Sequence, residues 1–260
     1  MTRTGRARRT TWAADPPITL SEQDGVRFLH FGSPWVQGAM RIRRPFRLEL
    51  DYIRHMMAWL LFMEPPQRML QIGLGAGALT RWSWKNLPET HTTAVECSAR
   101  VIEVCRQSFA LPPDDDRLEV LQADGLEFLE DAAVCGRFGV IQVDVYDQHA
   151  RGPVLGSLEF YRRCRQAIAE PGLLVINLFG ADHPSLEEQR SRVGRIFEGR
   201  VLELPSLEVG NLVLLAFAGP PLAITPMQLF ERAAQVQARW DLPARGWAKA
   251  LRGQIQTPKV

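Results

Sequence analysis

From residue 68 onward the chain alternates short apolar runs with amphipathic ones, and that rhythm restricts it to few folds. RMLQIG (68–73), TTAVEC (92–97), LEVLQA (118–123), FGVIQVDVY (138–146) and GLLVINLF (172–179) read as strands. Between them, ALTRWSWKNL (78–87), SARVIEVCRQSF (98–109), GLEFLEDAA (125–133) and LGSLEFYRRCRQAIA (155–169) place apolar residues at helical spacing. GLLVINLF is apolar nearly throughout, as a strand covered on both faces must be. Such alternation dictates a parallel, doubly wound sheet with right-handed crossovers.

The end of the pattern narrows the choice. RVLELPSL (200–207) and NLVLLAFAG (211–219) are separated only by Glu208-Val209-Gly210. A parallel crossover needs a dozen or more residues, so these two strands must pair antiparallel. The expected fold is therefore α/β, a Rossmann-like sheet of seven strands of the class I methyltransferase type. Thr225, Pro226 and Gln228 then form the capping box of a last helix, whose Leu229, Phe230, Ala233, Val236 and Trp240 should face the body.

Ahead of this body, VRFLHF (26–31) and WVQGAMRI (35–42) read as a β-hairpin across Gly32-Ser33-Pro34, and LELDYIRHMMAWLLF (48–62) as one helix ended by Pro65-Pro66. The expected division is a disordered basic segment over 1–17, a small N-terminal β region and first helix over 18–64, a nucleoside-binding body over 65–220, and a C-terminal helix and tail over 221–260. Arg3, Arg6, Arg8 and Arg9 precede no apolar stretch of the kind a secretory signal needs. No apolar run reaches the roughly 18–20 residues of a membrane span. A net charge of +2 gives no reason to expect a nucleic-acid partner. Cys97, Cys105, Cys135 and Cys164 lack metal-ligand spacing and are expected to be reduced and buried, which places the chain in the cytoplasm.

Three successive strand ends carry the candidate chemistry. Gly73, Gly75 and Gly77 follow the first strand of the body, where glycines let backbone approach a ligand and helix amides favour polar groups. Alone, that run equally serves tight strand–helix packing. Glu96 ends the next strand, where an acid hydrogen-bonds ribose hydroxyls in such folds, and Asp124-Gly125 follows the third. Ligands bind at this edge of a doubly wound sheet. Asp144 emerges directly from GVIQV, placed to take a proton from an amine or to hold a cation; Asp147 adds a second charge or caps a loop.

QIGLGAGALTR, AVECSARVIEVCRQSF, ADGLEFL and VDVYDQHARGPVLGSLEFY, in that order, resemble the spermidine synthases, the polyamine aminopropyltransferases, over residues 26–217. The resemblance implies transfer of an aminopropyl group from decarboxylated S-adenosylmethionine to a small amine such as putrescine, with no tightly bound cofactor, in a homodimer. It implies that Glu96 holds the ribose, Asp124 the adenine amino group, Asp144 deprotonates the attacking amine and Asp147 anchors the acceptor. Four departures stand out. Ala76 occupies the place of the family's acidic loop residue, which pairs with the free amine of the decarboxylated donor. Ile53, Arg54 and His55 align with a Tyr-Gln/His-Glu triplet. Leu207 stands where the family has a tyrosine, and the N-terminal β region is short. Three readings fit: a divergent aminopropyltransferase, a methyltransferase using ordinary S-adenosylmethionine with Arg54 on its carboxylate, or a non-catalytic nucleoside-binding paralogue.

Overall fold

A computed structural model describes residues 17–145, 156–179, 184–207 and 210–255. Asp147 and His149, the Arg-rich segment and the expected disorder at residues 1–16 lie outside the described residues.

The body is a seven-stranded sheet built from β4 (Arg68–Ile72), β5 (His91–Glu96), β6 (Leu118–Gln122), β7 (Phe138–Val143), β8 (Ile168–Phe179), β9 (Val201–Glu203) and β10 (Asn211–Ala218), in the order β6-β5-β4-β7-β8-β10-β9. β4 to β8 run parallel, and β10 runs antiparallel to both its neighbours. The crossover helices are α2 (Ala78–Asn86), α3 (Ala99–Ser108), α4 (Gly125–Glu130) and α5 (Leu158–Ala167). The sequence order reverses direction between β4 and β7, so a crevice opens at the carboxyl ends of these two strands.

One face of β8 illustrates how the sheet is covered. Leu174, Ile176 and Leu178 pack with α5 among one cluster of buried residues, while Leu173 and Val175 pack into the opposite one. That second cluster contains α7 (Pro226–Trp240), whose N-terminus is the expected capping box on Thr225 and Gln228. Leu229, Ala233 and Val236 of α7 are fully buried, whereas Phe230 turns outward and is 37% exposed. Two further helices, α6 (Pro184–Ile196) and α8 (Ala244–Leu251), have no counterpart in the sequence reading.

The N-terminal region departs from the expected hairpin. It is a three-stranded antiparallel sheet of β1 (Ile18–Gln23), β2 (Val26–Phe31) and β3 (Gly38–Arg41). Residues 35–37, expected in the strand, belong to the connection. The expected single helix over 48–62 is two pieces, α1 (Asp51–His55) and a 3-10 turn at Ala58–Leu61, separated at Met57, whose ψ of 0° does not continue an α-helix. Of the cysteines, Cys105 and Cys164 are buried, but Cys97 is half-buried and Cys135 exposed; all four are free thiols. Among the described residues no helix is long and apolar enough to cross a membrane.

Candidate active site

The floor of the crevice is the turn from β4 into α2. Gly73 has φ +90°, and a Cβ there would lie 2.2 Å from the carbonyl oxygen of Asp144, so only glycine lets the ends of β4 and β7 meet. Its amide donates to Val95 O at 2.9 Å, and Asp144 N donates to Ile72 O at 3.0 Å. Gly77, at φ +68°, is the residue from which α2 starts. Arg81, fully buried on that helix, reaches back: its guanidinium donates to the carbonyls of Ala76 and, at 2.9 Å, Pro45. Burial lowers its pKa to about 10, which leaves the cation intact at neutral pH. The buried Cys105 thiol donates to Gly75 O at 2.9 Å. The glycine loop is thus pinned by two side chains that spacing alone did not single out.

Glu96 sits at the end of β5 with its carboxylate fixed by backbone. Leu74 N donates to Oε2 at 3.0 Å and Ser98 N to Oε1 at 2.9 Å. The Cys97 thiol also donates to Oε1, and burial together with that carboxylate holds this thiol up at about 12. Asp124 caps α4, its Oδ1 accepting from Leu126 N at 2.9 Å and Glu127 N at 3.1 Å, with Gly125 buried as the first helical residue.

Asp144 follows β7 and is held from two sides. Asn177 on β8 donates to its Oδ1 at 2.9 Å, and Asn177 Oδ1 in turn accepts from Asn211 Nδ2 at 3.1 Å. The Tyr52 hydroxyl of α1 supplies a second hydrogen bond to the carboxylate. Burial pushes the carboxyl up to about 6, against the opposing pull of those two donors. The same burial, with the Asp144 charge beside it, keeps Tyr52 well above the usual phenol range, so it stays a neutral donor.

Tyr52 stands one residue before Ile53, the position aligned with the family tyrosine, and nothing in its spacing singles it out. Helical geometry turns adjacent residues about 100° apart, and it is Tyr52 that reaches Asp144. α1 is set in place from below: Thr80 donates to Gln71, Gln71 to Gln142, and Gln142 to Met56 O, at 2.8, 2.9 and 2.9 Å.

Tyr52, Ile53, Gly73, Ala76, Gln37 and Asp144 are among the residues lining one narrow cleft. Arg54 does not line it. Its Nε donates to Leu48 O at 3.0 Å and its Nη1 to Asp51 at 2.9 Å. His55 lies edge-on to Trp247 of α8, with ring centroids 6.5 Å apart. Leu207 is taken up in the turn before β10, its amide donating to Asn211 O at 2.9 Å. The structure therefore brings Gly73, Gly75, Glu96, Asp124 and Asp144 to one sheet edge, and removes Arg54 and His55 from it.

Comparison with known proteins adds the family. The Spermine/spermidine synthase domain matches residues 49–192, more than half of the chain. A polyamine aminopropyltransferase of Neisseria meningitidis is 36% identical over 87% of this chain and 86% of its own length. One from Chromobacterium violaceum is 34% identical over 88% and 87%. Among solved structures, a probable spermidine synthase of Corynebacterium glutamicum shares the fold with a TM-score of 0.71, at 18% identity over 94% of this chain and 93% of that one. The glycine loop, Glu96 and Asp144 stand at the ends of β4, β5 and β7 in a sequence about a third identical to those relatives along nearly all its length, and the chain belongs to the spermine/spermidine synthase family.

Proposed function

We propose that this chain is a polyamine aminopropyltransferase, moving an aminopropyl group from decarboxylated S-adenosylmethionine to an aliphatic amine. The observation that carries the reading is Asp144, a carboxyl pushed up to about 6 that opens into the same cleft as the glycine loop. At neutral pH such a group is mostly ionised and still basic enough to accept a proton, which suits a general base.

The reaction is an in-line displacement. The amine nitrogen attacks the propyl carbon bonded to the sulfonium, the carbon–sulfur bond breaks, and its electron pair neutralises sulfur, which leaves as the thioether of methylthioadenosine. The extra proton on the new secondary amine passes to Asp144 and then to water. No covalent enzyme intermediate is needed; positioning supplies most of the rate. Tyr52 and Asn177 hold the carboxylate while leaving it acceptor capacity. Glu96, fixed by two backbone amides, has lone pairs left for ribose hydroxyls. Gly73, Gly75 and Gly77 lie under the donor, Asp124 and Gly125 beside its base, and Asp147 anchors the acceptor. A homodimer in the cytoplasm is part of this reading.

Ordinary S-adenosylmethionine as the methyl donor loses its support, because Arg54, the cation that would have met its carboxylate, is engaged by Leu48 and Asp51. The test is mass-spectrometric detection of methylthioadenosine and spermidine after incubation with putrescine and decarboxylated S-adenosylmethionine. In parallel, calorimetric titration should show at least tenfold tighter binding of the decarboxylated donor, about 1.4 kcal/mol. Absence of methylthioadenosine, with S-adenosylhomocysteine formed from the ordinary donor instead, would overturn the reading.

A further inference from the structure

The connection from β3 to α1 is fastened at its base and clamped onto α2. Arg41, the last residue of β3, pairs with both carboxylate oxygens of Glu49, its Nε donating to Oε2 at 3.1 Å. Residues 42–48 project from that base through two turns, Arg44 N donating to Arg41 O and Arg47 N to Arg44 O, each at 3.0 Å. Their middle meets one face of α2, on which residues 81, 84 and 85 stand together at helical spacing. Arg81 Nε donates to Pro45 O at 2.9 Å. The Phe46 ring stacks on Trp84, with centroids 6.0 Å and planes 25° apart, and Lys85 Nζ lies 5.9 Å from the Phe46 centroid.

Arg81 differs from the other two in reaching a second segment. It is fully buried, no carboxylate pairs with it among the described residues, and its Nη1 donates to Ala76 O in the glycine loop. Burying a cation without a counter-charge is unfavourable, so an apolar side chain would serve the packing of α2 better. What arginine adds is a rigid fork of donors that joins carbonyls of two different segments.

The far end of the connection leads into α1. Leu48 O accepts from Arg54 Nε at 3.0 Å, and Leu50, the N-cap of α1, lines the cleft with Tyr52 and Ile53. Leu48 and Ile53 are buried in one cluster with Leu79 and Trp82 of α2. The seat of residues 42–48 on α2 therefore sets where α1 begins, and Tyr52 is its second residue.

We infer that Arg81 is a positioning residue for the transfer: it ties the glycine loop under the donor to the 42–48 connection, and through α1 to the Tyr52 that bonds Asp144. This rests on the aminopropyl-transfer reading and adds to it a link between the donor seat and the general base.

The experiment is steady-state kinetics and kcat/KM pH profiles of Arg81→Lys and Phe46→Ala, with calorimetry of decarboxylated S-adenosylmethionine binding. Lysine keeps the charge but, as a point ammonium, lacks the fork that bridges both carbonyls. Arg81→Lys should weaken donor binding and lower kcat, each about tenfold, as loss of one charge-assisted hydrogen bond implies. It should also move the acid limb upward, because a displaced Tyr52 no longer favours the carboxylate. Added to Tyr52→Phe, it should shift the limb no further. Phe46→Ala loosens the connection and leaves the Ala76 bond in place, so the limb should rise with donor affinity unchanged. A role confined to folding or to the glycine loop would lower the melting temperature or donor affinity without moving the limb. That result for Arg81→Lys, or an additive shift with Tyr52→Phe, overturns the link; if Arg81→Lys fails to fold, an unmoved limb in Phe46→Ala does so. Wild-type protein that forms no methylthioadenosine refutes aminopropyl transfer and the link with it, whereas wild-type turnover with an unmoved limb in the variant refutes the link alone.

Discussion

Asp144→Asn should disable the enzyme and stabilise the protein, and the two effects have one cause. The carboxyl rises from 3.8 to about 6 on folding because ionisation in the crevice is penalised. At 1.36 kcal/mol per unit, that is about 3 kcal/mol of native-state cost for the charged form. Asp144 keeps partial solvent contact through the cleft, so screening reduces the recoverable part to about 1–2 kcal/mol. An asparagine of the same shape still accepts from Asn177 at Oδ1 and carries no charge. For a chain of this size the gain corresponds to a melting temperature higher by roughly 3–6 °C. The sign with pH follows from linkage: a carboxyl whose folded pKa is raised is penalised only once ionised, so the penalty is absent below about pH 4, grows between there and pH 6, and is complete above. The difference between variant and wild type in a thermal melt should therefore vanish at pH 4 and be full at pH 8. Loss of the general base should cut kcat by about 100-fold or more. A variant that melts lower than wild type at pH 8, or one stabilised equally at pH 4, would refute the argument that burial sets this pKa.

Other consequences are separately measurable. The wild-type pH profile of kcat/KM should have an acid limb near 6, set by Asp144; a limb below 4.5 would remove it as the titrating base. Tyr52→Phe deletes a hydrogen bond that favours the carboxylate, so that limb should move upward while donor affinity by calorimetry stays constant. Glu96→Gln weakens two bonds from backbone amides and the proposed ribose contact, and should cost roughly 1.5–3 kcal/mol in donor binding; unchanged affinity would move the nucleoside elsewhere. Ala76→Asp adds a like charge to the cleft that Asp144 lines, so the acid limb should rise by about one unit. A tenfold tighter donor with an unmoved limb would show that position 76 simply lacks its acid.

The body was readable because its central strands are buried on both faces, GLLVINLF most plainly, and because three residues between the last two strands exclude a crossover. Elements without such contrast were not. β1 is exposed along almost its whole length, so no alternation marks it. α6 presents five charged residues over Glu187–Arg195 with Val193 as its deeply buried contact, too sparse a stripe to register as periodic. MMAWLL is buried on all sides, and a uniform apolar run carries no phase from which the break at Met57 follows. At the site, glycines and strand-end acids announced themselves by type and position. Arg81 and Asn177 did not, because a buried arginine and a strand asparagine acquire meaning only from the carbonyls and the carboxylate they meet.

The departures from the family pattern take on distinct meanings in three dimensions. Arg54 is no intrusion into a polycation pocket, since Leu48 and Asp51 take its donors. Beside Ile53, Tyr52 is the phenol that α1 turns onto Asp144. Ala76 is matched by Gly38: a Cβ on Gly38 would come within 2.5 Å of the Ala76 Cβ and 2.8 Å of its nitrogen. β3 therefore lies directly on the glycine loop, and a small residue at 76 is part of that contact rather than a simple deletion of charge. A close approach of this kind brings the end of the β2–β3 connection, with Gln37, into the lining of the cleft. A small residue at 76 and the seating of Gln37 in the cleft are thus two consequences of one packing arrangement.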